Sequence, residues 1–189
     1  MNYRISCRNS YPYRNWYADI NNLKLHIEER CKEIVEKYHE QTVNYDTKLK
    51  EAYKDGEECG MIYEQHNDPT LEIRLKQNNE LISLESEMKS TLEKILKNII
   101  TYFNLSSQKR KDNSYLSSYM LEIEENKEID MSEFAQERKD IFLLNTNRNK
   151  SEHESDNLLR EIDQSYIRHQ LNSAYLYMNT LIQRLFDNR

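Results

Sequence analysis

The chain has 189 residues, room for one domain with a substantial core but tight quarters for two. Two glycines and two prolines, against a heavy load of Glu, Lys, Leu, Ile and Asn, cannot serve the many tight turns of a β-sandwich or barrel, so the composition specifies helix. A formal net charge of -6 and a pI near 5.5 exclude a surface that is one continuous nucleic-acid footprint, while leaving room for a local basic site.

Residues 1–18 form a basic and aromatic N-terminal arm in which Arg4, Arg8 and Arg14 alternate with Tyr3, Tyr11, Tyr13, Trp16 and Tyr17, with no acid before Asp19. Guanidinium groups meet phosphate and rings stack on bases, so the composition suits a nucleic-acid or peptide-binding tail. The same composition suits an arm that lays its aromatics over the end of a bundle, which is the better reading. Residues 19–189 then make a single helical-bundle domain. Asp19 is placed to cap a first long helix in which Ile20, Leu23, Ile27, Ile34, Tyr38, Tyr45, Leu49 and Tyr53 keep near-heptad phase, joined by Cys31 and Ala52. Gly56 ends or bends it, and Glu57 to His66 reads as a helical connector.

Asn67-Asp68-Pro69 is a start signal, an N-cap residue followed by proline at the first helical position. The second long helix runs from there to about Asn104. Its centre is the stripe Leu81, Leu84, Met88, Leu92, Ile95, Ile99 and Tyr102, whose steps of three and four put all seven on one side. Glu85, Glu87, Lys89, Glu93, Lys94, Lys97 and Asn98 are assigned to a wet opposite face. Leu105 to Ser114, with Lys109-Arg110-Lys111, is a solvated connection. Tyr115, Leu116, Tyr119, Met120 and Ile123 make a shorter helix, followed by an acidic patch of Glu122, Glu124, Glu125, Glu128 and Asp130.

Ser132 with Glu133 suggests a cap for a further helix carrying Phe134, Ile141, Phe142 and Leu144. A polar break follows from Asn145 to Asp156. The last helix is expected from about Ser155 almost to the C-terminus, with Leu158, Ile162, Tyr166, Tyr175, Met178, Ile182 and Leu185 inward. The sum is an all-α, elongated bundle of three long helices plus one or two shorter ones, whose length leaves enough free side for a homodimer seam.

Little in the chain offers established chemistry. Cys7, Cys31 and Cys59 are odd in number and form no C-x-x-C pair, so free thiols in a reducing compartment are the simpler reading. The start lacks the apolar core of a secretory signal and no run of about 18 apolar residues occurs, which predicts a cytoplasmic protein with no membrane partner. Glu36 and His39 form one Glu-x-x-His pair, but a di-iron bundle needs two, and no other histidine has a glutamate three residues before it. Gly56 and Gly60 cannot build a phosphate loop. Neither cofactor nor metal is expected.

One spacing stands apart, Arg148-Asn149-Lys150-Ser151-Glu152-His153. Here the sequence resembles the HEPN family, all-α domains whose catalytic members carry an Arg-polar-x-x-x-His motif beside the start of a late helix, after a helix ending in apolar residues. Ile141-Phe142-Leu143-Leu144 precedes the motif and the last helix follows it. The resemblance implies a metal-independent endoribonuclease in a toxin or defence setting, with RNA as substrate. Arg148 and His153 would be the catalytic pair and Asn149 the positioner, two copies of the motif meeting across a dimer. Such a pair makes chemical sense: imidazole moves the proton of a ribose 2′-hydroxyl or of the leaving oxygen, while guanidinium stabilises the charge building on phosphorus. The rival expectation is a non-catalytic interaction module, an adaptor, scaffold, immunity protein or secreted effector that presents helix faces to a protein partner; its many tyrosines suit that role.

Overall fold

The computed structural model describes residues 11–54, 69–153 and 161–187. Five helices make an all-α bundle: α1 (Tyr11–Lys54), α2 (Pro69–Tyr102), α3 (Tyr115–Asn126), α4 (Ala135–His153) and α5 (Gln164–Asp187), with one 3-10 turn (Ser132–Phe134) ahead of α4. Two helices exceed thirty residues, α1 with 44 and α2 with 34, while α5 has 24, so the bundle has two very long members and one of intermediate length. Gly56, Cys7, Cys59, the expected connector at 57–66 and Leu158 lie outside the described residues.

The helix read as central is central. α2 touches α1, α3, α4 and α5. Leu81, Leu84, Met88, Leu92, Ile95 and Ile99 are buried as the stripe requires, and Leu96 and Ile100 widen it. Tyr102, the stripe's last member, is half exposed. Because α2 is packed on several sides, its wet face is narrower than its charge pattern suggests: Glu85 and Lys89 are buried, Glu85 accepting a hydrogen bond from the Tyr166 hydroxyl at 2.8 Å and Lys89 lying 3.8 Å from Glu93. Each large apolar side chain taken from water contributes about 1.5–3 kcal/mol, and α2 and α5 between them carry much of the buried apolar surface.

α1 runs antiparallel to α2. Trp16 meets Tyr102 edge-on at 5.4 Å, His26 meets Glu87 at 2.8 Å, and Tyr38 donates to Glu80 at 2.6 Å. α1 starts two turns before Asp19, so the stretch assigned to the arm divides. Residues 1–10 are outside the described residues, and Tyr11–Ala18 are helix, with Trp16 buried against Phe103 and Phe186. From Trp16 the buried positions follow as Ile20, Leu23, Ile27, Cys31, Ile34 and Tyr38. Burial pushes the Cys31 thiol above its ordinary pKa, which suits an inert core residue. Past Tyr38 no described α1 residue is buried; Thr42, Tyr45 and Leu49 are half-covered on the inner side.

Among the described residues, α2 and α3 end without glycine. α2 stops in a Schellman motif: Leu105 N–H donates to Ile100 at 3.0 Å and Asn104 N–H to Thr101 at 3.2 Å, with Asn104 at φ 54°. α3 ends the same way, Ile129 donating to Glu124 at 2.9 Å and Glu128 to Glu125 at 3.3 Å, with Glu128 at φ 50°. α3 begins with a capping box between Ser114 and Ser117. Ser132 does not cap α4; its backbone N–H donates to the Asp130 carboxylate at 2.9 Å and a 3-10 turn leads into the helix. Glu161–Asp163 are not helical, so the last helix starts later than about Ser155. Asp163 caps it, Oδ1 accepting from Tyr166 N–H at 2.8 Å.

α5 runs parallel to α2, with Ile162 N–H on Asn78 Oδ1 at 2.8 Å near its start and Phe186 on Trp16 near its end. α4 runs antiparallel to α5, Glu133 pairing with Arg184 and Asp140 with Ser173. The end of α4 therefore points toward the end of the bundle where α1 passes Tyr38 and α2 arrives at Asn78.

Candidate functional site

Where a polar break is expected at 145–156, the backbone of α4 stays helical through His153. Its apolar positions end at Leu144, but continuing backbone hydrogen bonds need no apolar residue, and Asn, Arg, Lys and Glu are tolerated in an exposed helix. Arg148, Asn149 and His153 thus occupy the last turns of α4 instead of the entry to α5, and their side chains lie outside the described residues. Register alone constrains them. Five residues along an α-helix turn the chain by about 140° and advance it about 7.5 Å. Position 148 continues the phase of Ile141 and Leu144, whereas position 153 falls on the opposite side of the helix. Within one α4 the two Cα positions do not converge.

What the described side chains do bring together is a polar cluster in the seam of α3, α4 and α5. Glu124 accepts hydrogen bonds from the Tyr177 phenol on one oxygen and the Arg138 guanidinium on the other. Burial raises the Glu124 carboxyl above its ordinary pKa, against the lowering pull of Tyr177 and Arg138. Burial, then the Glu124 charge, holds the phenol of Tyr177 far above the usual tyrosine range. Two residues along α4 from Arg138, buried Asp140 accepts from Ser173 and from Gln136, each at 2.8 Å, with His169 Nε2 at 3.1 Å. Both carboxylates are engaged by several donors, while the buried Nε of Arg138 finds no acceptor. They fix the register of α4 on α5, since a slip of either helix would leave a buried carboxylate unpaired.

Sequence reasoning missed this cluster because Glu124 looks like one more member of the acidic run. The available signal was the apolar phase of Met120 and Ile123, which puts position 124 on the covered side of α3 beside them. The run Lys109-Arg110-Lys111 is also tied down. Arg110 forks onto Glu125 at 2.8 and 2.9 Å and reaches Glu122 at 3.1 Å, and its N–H donates to Ser118 Oγ at 2.9 Å. Arg110 is neutralised by Glu122 and Glu125 of the acidic patch, which removes it from any free phosphate-binding surface.

A groove of about 770 Å³ opens between α1, the start of α2 and residues 161–166. Val35, Leu71, Leu75, Leu81, Ile162 and Tyr166 supply its apolar wall, and Arg74, Glu161 and Asp163 its charges. No group of three or more His, Cys, Asp or Glu side chains that could hold a metal ion occurs among the described residues, Glu36 and His39 both being exposed. No described helix is long and apolar enough to cross a membrane. No protein-family model matches the chain, and no curated protein or solved structure resembles it significantly.

Proposed function

We propose that the chain is a non-catalytic interaction module, a helical bundle that works by presenting helix faces to a protein partner. The observation that carries this reading is the continuation of two helices past the core. Among the described side chains the last buried residue of α1 is Tyr38, yet α1 continues to Lys54, about 24 Å further at 1.5 Å per residue. α2 starts at Pro69, ahead of its first buried residue, Asn78. The extended pair exposes Val43 on the outer side of α1 and Leu71 on α2, 46% and 54% accessible, and Leu71 lines an apolar groove flanked by helices, the kind of surface that takes an amphipathic helix of another protein.

A second reading keeps the resemblance: a HEPN-type, metal-independent endoribonuclease in which Arg148 and His153 act on RNA and Asn149 positions one of them. The α4 register favours a dimer for it, since residues about 140° apart on one helix need a second copy to complete a site.

Two measurements separate the readings. Purified protein incubated with a cellular RNA pool in EDTA leaves the RNA intact if the chain is a module. A photo-crosslinking residue at Leu71 joins it to another polypeptide in cells, whereas the same probe at exposed Lys97 does not. RNA cleavage that leaves 2′,3′-cyclic phosphates and is lost in folded Arg148→Ala and His153→Ala variants overturns the module and establishes the nuclease.

A further inference from the structure

We infer that the outer side of α1 past Tyr38 is a homodimer seam, in which the α1 helices of two copies lie antiparallel about a two-fold axis level with Tyr45. The inference rests on the interaction-module reading and names a second copy of this chain as one partner.

Three observations carry it. Glu40, Val43, Thr47 and Lys50 follow at steps of three, four and three, so they form one stripe, and all four are exposed. The stripe is least polar at its middle: Val43 is apolar, and the Thr47 hydroxyl is satisfied within the helix, donating to the Val43 carbonyl at 2.8 Å. The charges on this part of α1 are unmatched. Upstream, Lys24 pairs with Glu28, Arg30 with Glu33 and Lys32 with Glu36. Glu40 and Lys50 have no ion partner among the described residues.

The four-residue stripe is complementary to itself in an antiparallel arrangement. Antiparallel pairing about Tyr45 sets Glu40 against Lys50 of the partner subunit and Val43 against the partner's Thr47, and the two-fold axis repeats both contacts. Two apolar contacts are then flanked by two ion pairs, as a self-complementary interface requires. A parallel pair would put Glu40 against the partner's Glu40. Sliding the antiparallel pair by four positions one way sets Glu40 against the partner's Asp46; sliding it the other way sets Val43 against the partner's Glu51. Like charges and a desolvated carboxylate disfavour each alternative.

The test is sedimentation equilibrium of the full chain, whose monomer mass is 23.0 kDa, across a concentration series at low and high salt. A monomer–dimer equilibrium weakened by salt is expected. Glu40→Lys and Lys50→Glu should each weaken association by about tenfold, the cost of placing like charges across the seam. The double variant Glu40→Lys/Lys50→Glu should restore it, and Val43→Asp should abolish it. All four positions are exposed, so circular dichroism should be unchanged in every variant. A parent that stays monomeric, or a dimer insensitive to these changes or not rescued by the double variant, overturns the seam. If the monomer still crosslinks through Leu71 to a different protein, the module reading survives the loss of the dimer. If RNA is cleaved, the module reading falls and the sedimentation result still decides the seam.

Discussion

The phenol of Tyr177 and the carboxylate of Glu124 meet inside the seam of α3, α4 and α5, and the carboxylate's second oxygen carries Arg138. Three helices are tied at one acid. Removing the phenol leaves Glu124 with a single donor in a buried site, so Tyr177→Phe should cost about 1–2 kcal/mol. Glu124→Ala also strands the guanidinium of Arg138 and should cost about 3 kcal/mol. Urea unfolding followed by circular dichroism reads both. A loss under about 0.5 kcal/mol in Glu124→Ala would mean that the seam does not depend on its polar ties.

The same acid sets a pH signature. Burial raises the Glu124 pKa in the folded state above its ordinary value of 4.5, so its contribution is fully present below that value and is lost as pH rises through the folded pKa. Acids whose pKa is held down behave oppositely: half-buried Glu80, paired with Lys37, and exposed Asp163, bonded by the Tyr166 N–H, lose their contribution as pH falls. The protein as a whole should therefore weaken in acid while Glu124 pulls the other way. Glu124→Gln isolates that pull. The stability difference between parent and variant, measured from pH 4 to 7, should move against the parent as pH rises; a flat difference would mean that folding does not shift the Glu124 pKa, and an opposite slope would place the ionised form as the stabilising one.

Glu128 closes α3 in the left-handed region at φ 50°, where a Cβ is unfavourable. Its N–H and that of Ile129 make the two Schellman bonds, and neither bond uses the side chain. Glu128→Gly should keep both bonds, relieve the backbone and raise stability by about 0.5–1 kcal/mol. Glu128→Ala, which retains the Cβ, should give no such gain. Equal midpoints in urea for the two variants would show that the turn is not strained.

These sites mark the limits of sequence reading. Spacing alone located the stripe of α2 and the core phase of α1 from Ile20 to Tyr38, because burial on a helix repeats at three and four, and proline at the first helical position located the Pro69 start. It did not reveal that Glu85, Lys89 and Glu124 are covered, since whether a charged position is wet depends on how many helices surround its own. It placed the first helix start at Asp19, a good cap residue, whereas Trp16 gains more by joining Tyr102, Phe103 and Phe186 in the core than an exposed cap would supply. The candidate site was legible only as a string of six letters: their polarity suggested a loop, and polarity does not stop a helix that has already nucleated.

That last point is testable at residues 148–153, and the outcome bears on function. A helix that continues to His153 should protect its final amides, so hydrogen exchange over 148–153 should run at least about tenfold slower than in an unstructured peptide of the same sequence. Asn149→Pro removes an interior N–H and crowds the preceding turn, which should erase protection from there to His153. The seam at Asp140 and Ser173 lies more than two turns upstream and should be unaffected, its amides exchanging as in the parent. Protection in the parent and its local loss in the variant would fix positions 148 and 153 on different sides of one helix, so that any joint action of Arg148 and His153 needs a second copy. Rapid exchange across 148–153 in the parent would remove that constraint, and a site within one chain would regain its place as the first thing to test.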